Sequence, residues 1–144
     1  MTNTEQRINS TKSLKLKSFS KINLGLWIKE KRSDGYHEIE TIFFENDCLY
    51  DELEIVFEKS DLKSAFTSFT EKNLNSLIPS DKNIATKAAL LFLEKTKING
   101  NCKITMNKKI PTEAGLGGGS SNAASVLKGL NNLLNSPLSN EDLI

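Results

Sequence analysis

From Leu14 to Ile28 apolar and polar residues alternate, with Ile22, Leu24, Leu26 and Ile28 on one face and Phe19, Lys21, Asn23, Gly25 and Trp27 on the other. That is the two-residue period of a β-strand. Lys29 to Ser33 is a charged link, and Asp34-Gly35 is a turn signal. Alternation resumes over Tyr36 to Phe44, with His37, Ile39, Thr41 and Phe43 opposite Tyr36, Glu38, Glu40, Ile42 and Phe44. The two segments predict a hairpin whose loop is longer than the tightest type, so the pattern leaves its register open. Glu52 to Glu58 predicts a third strand, with Leu53, Ile55 and Phe57 inward. The signal weakens from Lys59 to Pro79, where Phe66 and Phe69 fit a short strand or a surface loop. Ser80 or Asp81 is the expected cap of a helix over Asn83 to Lys95, with Ile84, Ala88, Leu91 and Phe92 on one face.

Asn99-Gly100 turns the chain into a half-buried strand carrying Cys102, Ile104 and Met106, which Lys108 and Lys109 close. Ala123, Val126, Leu127, Leu130, Leu133 and Leu134 recur at helical spacing and predict a second helix, stopped by Pro137. Ser139 to Asp142 then reads as a helix start with Ser139 as cap and acids in the first turn. A helix start with no helix behind it leads us to expect that the sequence is cut short.

The stretch between that last strand and the second helix carries the chemistry. Pro111-Thr112-Glu113-Ala114-Gly115-Leu116-Gly117-Gly118-Gly119-Ser120-Ser121 holds four of the chain's eight glycines. The first turn of a helix leaves backbone N–H groups without partners, and its dipole favours negative charge. Glycines let successive N–H groups point into one concavity, and Ser120 and Ser121 add hydroxyls, so a phosphate is the natural occupant. The bland reading is a flexible turn with a serine N-cap. The stretch is not a Walker A loop, because no Gly-Lys-Ser/Thr follows, and the third position of a dinucleotide fingerprint falls on Ser120.

Composition narrows the classes. At 144 residues one domain with a real core is expected. With 19 basic and 18 acidic side chains no strong field recruits nucleic acid or membrane, and the apolar runs are far short of a membrane span. Cys48 and Cys102 both sit in strand-like apolar settings and are expected to be reduced and buried, with no disulfide framework. A single histidine argues against a His-based metal site, and no metal ligands are assigned among the side chains. Met1 to Thr11 is polar without an apolar signal region, so a disordered lead-in over 1–13, a domain over 14–144 and a cytoplasmic setting are the expectations.

The glycine stretch resembles the signature of the GHMP kinase family, and Gly-Leu-Gly-Gly-Gly-Ser-Ser-Asn-Ala-Ala is most similar to the branch that phosphorylates a cytidine diphosphate-linked methylerythritol. Ser-Lys-Ile-Asn-Leu, residues 20–24, resembles the family's opening strand, and Asp-Gly-Tyr-His-Glu-(x)2-Thr-(x)-Phe, residues 34–43, a second segment of that branch. The resemblance implies an α+β fold like ribosomal protein S5 domain 2, a mixed or antiparallel sheet with helices on one side. It implies ATP and Mg2+, with phosphates held at Pro111 to Ser121. It implies a catalytic role for Lys21, with Asn23 beside it. Tyr36 and His37 would contact the substrate nucleotide and Phe43 would pack near its cytosine. Asn83 would lie near the adenine. Apart from the resemblance, Lys108 at the strand end could reach a phosphate oxygen.

Pattern alone reads these residues differently: Lys21 as a solvated charge, Phe43 as core, His37 as a rim residue, Asn83 as an ordinary helix start and Lys108 as a solvated strand end. The family's catalytic aspartate lies in a Gly-Ala-Asp-(Val/Ile)-Pro segment that these residues do not contain. The expectation is therefore a kinase by descent, inactive as this chain alone and missing a C-terminal half. Glu113 departs from the family's usual small or apolar residue, and a carboxylate there is unfavourable beside phosphate unless it faces solvent. Two other readings stay open: a related kinase acting on a sugar, homoserine or mevalonate, and a non-catalytic nucleotide-binding module.

Overall fold

The computed structural model describes residues 11–60, 65–71 and 83–143. Two long strands, β1 (Thr11–Lys31) and β2 (His37–Lys59), form an antiparallel hairpin. Then come β3 (Ala65–Glu71), α1 (Ile84–Thr96), β4 (Gly100–Asn107), α2 (Gly118–Leu133) and a short 3-10 helix, Glu141–Leu143. The sheet order is β1-β2-β4-β3, with β4 antiparallel to β2 and parallel to β3. It is a mixed sheet with both helices on one face, as the α+β expectation had it.

The core follows from strand parity. Leu53, Ile55 and Phe57 of β2 and Cys102, Ile104 and Met106 of β4 point to one face and meet Ala85, Ala89, Phe92 and Leu93 of α1 and Val126 and Leu130 of α2. Burying each of the larger ones, Leu, Ile, Val, Phe and Met, is worth roughly 1.5–3 kcal/mol. Gly129 lets α2 lie close to the sheet, since a Cβ there would stand 2.8 Å from Cδ1 of Ile55.

Several boundaries differ from the pattern. β1 begins at Thr11, paired with Glu58, so residues 11–13 are strand; residues 1–10 of the expected lead-in lie outside the described residues. The predicted segments Tyr36–Phe44, from His37 on, and Glu52–Glu58 are one strand, β2. A bulge joins them, for Phe19 pairs with Tyr50 and the next residue, Ser20, with Asn46. Asn46 shapes the bulge by accepting the amide of Cys48 at 3.2 Å. That overturns the expectation for Cys48, which is exposed on the bulge; Cys102 is buried, and burial pushes its thiol up to about 12. The short-strand reading around Phe66 and Phe69 holds, as β3.

The proposed caps Ser80 and Asp81 lie outside the described residues. Asn83 caps α1, accepting the amide of Ala85 at 2.9 Å. α2 ends before Pro137 is reached: Asn135 and Ser136 turn left-handed, at φ 67° and 55°, and Ser136 donates back to the Asn131 carbonyl at 2.6 Å. Ser139 caps as expected, accepting the amide of Asp142 at 3.2 Å.

The distal hairpin reaches beyond the core. Its turn is closed by bonds between Arg32 and Tyr36 and from Gly35 to Arg32. Leu24, Leu26, Ile28, Ile39, Ile42 and Phe44 are exposed on this arm. No helix among the described residues is long and apolar enough to cross a membrane.

Candidate nucleotide site

The site is hung from one buried carboxylate. Asp51 shares the inward parity of Leu53, Ile55 and Phe57 and is fully buried. Its Oδ1 accepts the amides of Lys109 at 2.7 Å and Ile110 at 2.8 Å. Its Oδ2 accepts from Lys108 Nζ at 3.1 Å and Asn122 Nδ2 at 2.8 Å. One side chain thus joins β2, the segment leaving β4, and the first turn of α2. Next to it, the Lys109 ammonium is raised by its hydrogen bond to Glu52, 2.8 Å long.

From that anchor the chain runs out through Pro111 and returns at Gly117. Gly115 and Gly117 are left-handed, at φ 73° and 70°, and so is Glu113 at 59°. Gly117 caps α2 without a side chain, and its carbonyl accepts the first intrahelical bond, from Ser121, at 2.9 Å. The amides of Gly118, Gly119 and Ser120 precede that bond and have no acceptor inside the helix. Their residues line a cleft of about 340 Å3, together with the loop from Pro111 to Gly117, Asn122 of α2, Asn83 and Ile84, and Met106 and Lys108. That volume is within the range of roughly 300–1,000 Å3 usual for small-molecule sites.

Lys21 is the wall between loop and hairpin. Its backbone amide donates to the Leu116 carbonyl at 2.9 Å, and a Cβ on Gly117 would lie 2.9 Å from its Cγ. Its Nζ donates to Asn23 Oδ1 at 2.6 Å and lies 5.6 Å from the centre of the Phe43 ring. Lys21 is thus half-buried against the loop, where a solvated strand lysine would stand free.

The predicted residues divide accordingly. Pro111, Thr112, Glu113, Ala114, Gly115, Leu116, Gly117, Gly118, Gly119, Ser120, Asn83 and Lys108 share the cleft, and Lys21, Asn23 and Phe43 stand beside it. Glu113 is exposed, as a carboxylate there must be. Lys108 lines the wall with its ammonium on Asp51. Ser121 is turned away: its hydroxyl accepts from the buried Ser18 at 2.8 Å, and its amide is inside the helix. Phe43 is exposed, not core. Tyr36 and His37 are exposed at the hairpin turn, and His37 is six residues from Phe43, at most about 20 Å along an extended strand. The chain thus leaves the proposed nucleotide contacts split between the loop and the tip. Sequence reasoning missed Asp51, Asn122 and Ser18. The signal for Asp51 was an acid at an inward position, one parity step ahead of Leu53.

Comparison with known proteins agrees with this geometry. Residues 83–144 match the family described as GHMP kinases N terminal domain. The chain is 41% identical over 133 residues to the 4-diphosphocytidyl-2-C-methyl-D-erythritol kinase of Desulfotalea psychrophila, covering 91% of this chain and 42% of that protein. With the same enzyme of Chlorobium limicola it shares 46% over 129 residues, 89% of this chain and 42% of that one. A crystal structure of 4-(cytidine 5'-diphospho)-2C-methyl-D-erythritol kinase superposes with a TM-score of 0.66 at 34% identity, over 90% of this chain and 44% of that one. The homoserine kinase of Cytophaga hutchinsonii shares the fold, at a TM-score of 0.60 and 19% identity, over 96% of this chain and 40% of that one. The chain spans about two fifths of the length of the curated relatives it matches. Loop, fold and relatives together lead to one conclusion: residues 83–144 match the GHMP kinase N-terminal domain, and the chain has the ribosomal protein S5 domain 2-like α+β fold of those kinases.

Proposed function

We propose that this chain supplies the ATP-binding loop and the lysine of a kinase that transfers the γ-phosphoryl of ATP to the 2-hydroxyl of 4-diphosphocytidyl-2-C-methyl-D-erythritol, a step of non-mevalonate isoprenoid synthesis. The observation that carries the reading is the cleft lining: Gly118, Gly119 and Ser120, whose amides precede the first intrahelical bond, line it, and Lys21 packs on Gly117 beside it. Phosphoryl transfer is mostly positioning and charge stabilisation, and this arrangement offers both. The amides hold phosphate oxygens, and Lys21 stands where it can meet charge on the acceptor side.

The residues present fit Mg2+ carried with the nucleotide. That ion keeps most of its ligands as phosphate oxygens and water, and the Ser120 hydroxyl lines the cleft. Bound there, it neutralises charge on the phosphates. A cytoplasmic setting accords with a soluble small-molecule substrate, and the rest of the kinase, where the family's aspartate resides, is the partner this reading requires.

Titration of the 15N-labelled chain tests it. Mg2+ and ATP are expected to move the amides of Gly117 to Ser120 first, and CDP those of Lys21, Asn23, Phe43, Tyr36 and His37. An ATP response confined to other residues refutes the loop assignment. A silent CDP titration refutes the cytidylyl substrate alone.

A further inference from the structure

Within the hairpin arm, residues 21–45, every residue is exposed except four: Lys21, Asn23, Gly25 and Thr41. Those four are one hydrogen-bonded file. Lys21 Nζ donates to Asn23 Oδ1 at 2.6 Å, Asn23 Nδ2 to Thr41 Oγ1 at 2.7 Å, and the Thr41 hydroxyl to the Gly25 carbonyl at 2.6 Å. A bulge makes the last link. Asn23 pairs with Phe43 and Leu26 with Thr41, so β1 carries one residue more than β2 between those pairs. The Trp27 ring lies over Gly25, where a Cβ would stand 2.6 Å from its edge.

The file has one polarity. A backbone carbonyl only accepts, so the single proton of Thr41 goes to Gly25. The Thr41 oxygen must then accept, which turns the Asn23 amino group toward it. Asn23 Oδ1 is left for Lys21, whose ammonium only donates. A flipped amide would set NH2 against NH3+ and a carbonyl against a hydroxyl whose proton is committed.

We propose that Thr41 is a positioning residue that acts through Asn23, setting the carboxamide's orientation and thereby holding the Lys21 ammonium beside the glycine loop. The purpose of that ammonium rests on the kinase reading; the orientation itself does not. Thr41→Val keeps the shape of the side chain and removes the hydroxyl, while Thr41→Ser keeps the hydroxyl.

Side-chain NMR of the chain decides it. In the parent and in Thr41→Ser the two Asn23 carboxamide protons are expected as a resolved pair displaced from free-asparagine shifts. In Thr41→Val they should move toward those shifts, with a matching change at the Lys21 Cε resonance. CDP affinity should fall about tenfold in Thr41→Val and recover in Thr41→Ser, with ATP affinity within about twofold throughout. Asn23 and Lys21 signals in Thr41→Val that coincide with the parent overturn the proposal. If Thr41→Val does not fold, the parent decides: an NOE between the Asn23 amino protons and the Thr41 side chain supports the file, and its absence overturns it. Parent chain that binds no CDP defeats the substrate reading, while the Asn23 and Lys21 resonances still decide the role of Thr41.

Discussion

Replacing Asp51 by alanine removes all four of the bonds that suspend the loop. The amides of Lys109 and Ile110 and the Asn122 amino group lose their acceptor, and Lys108, whose side chain is only 10% exposed, loses the Asp51 counter-charge. Breaking a buried charge pair from one side costs about 3–5 kcal/mol. Asp51→Asn is gentler in shape but still wrong in chemistry: one oxygen can serve the two amides, while an NH2 now faces the Lys108 and Asn122 donors. At roughly 1–3 kcal/mol for an unmet buried partner, it should cost about 3 kcal/mol. For a chain of this size 1 kcal/mol shifts Tm by roughly 4 °C, so Asp51→Ala should melt about 12–20 °C below the parent. Thermal and urea unfolding followed by circular dichroism measure both variants, two-state behaviour being usual under about 150 residues. ATP affinity should fall more steeply than stability explains, because residues 108–110 set where the loop begins. A melting point for Asp51→Ala within about 2 °C of the parent would refute the suspension argument, since the four lost bonds would then carry almost none of the stability assigned to them.

Gly117→Ala should destabilise by about 1–2 kcal/mol from its left-handed φ alone and push Lys21 aside, so ATP and CDP binding should weaken together in the same titrations. A thiol reagent at about pH 8 should modify Cys48 at once and Cys102 only after denaturation, because the buried thiol stays protonated until about pH 12; two fast equivalents in the native chain would contradict this. The Asp142 carboxyl is held below its ordinary 3.8 by hydrogen bonds from Lys95 and then Ser139. Its contribution is therefore present above about pH 4 and lost as pH falls through the lowered value, which a 13C titration of its carboxyl should show, with Lys95→Met moving it back up. Glu113→Gly should relieve a left-handed glutamate and remove a carboxylate from the cleft, raising both Tm and ATP affinity; a drop in ATP affinity would make Glu113 a participant.

What the pattern revealed and what it hid have separate causes. β4 and α2 were legible because each buries one face continuously, so periodicity and structure coincide at Cys102, Ile104 and Met106 and at Val126 and Leu130. The glycine loop was legible as a turn between strand and helix, since Gly115 and Gly117 take the left-handed φ that glycine allows and Gly117 caps α2. The joining of two predicted strands into β2 was not. The residues between Phe44 and Glu52 carry no strand pattern, yet they form a bulge that continues the pairing, so Cys48 faces water. Asp51 was missed because a charge is read as solvated unless its parity is checked against its neighbours. Ser121 and Ser18 were misjudged or unseen because they lie 103 residues apart and meet only through the packing of α2 on β1. Apolar alternation on the arm predicts strand correctly yet says nothing about whether anything covers it.

The bond from the Lys21 amide to the Leu116 carbonyl has an implication for how such a site can vary. It couples main chain to main chain, so the separation between the loop ahead of α2 and the β1 backbone at Lys21 is a fixed bridge, indifferent to rotamers. On the kinase reading proposed above, side chains along either bank can be exchanged to suit a new alcohol or to tune affinity while the span between the two backbones stays the same. Selectivity in this scaffold can therefore drift while its reach is inherited.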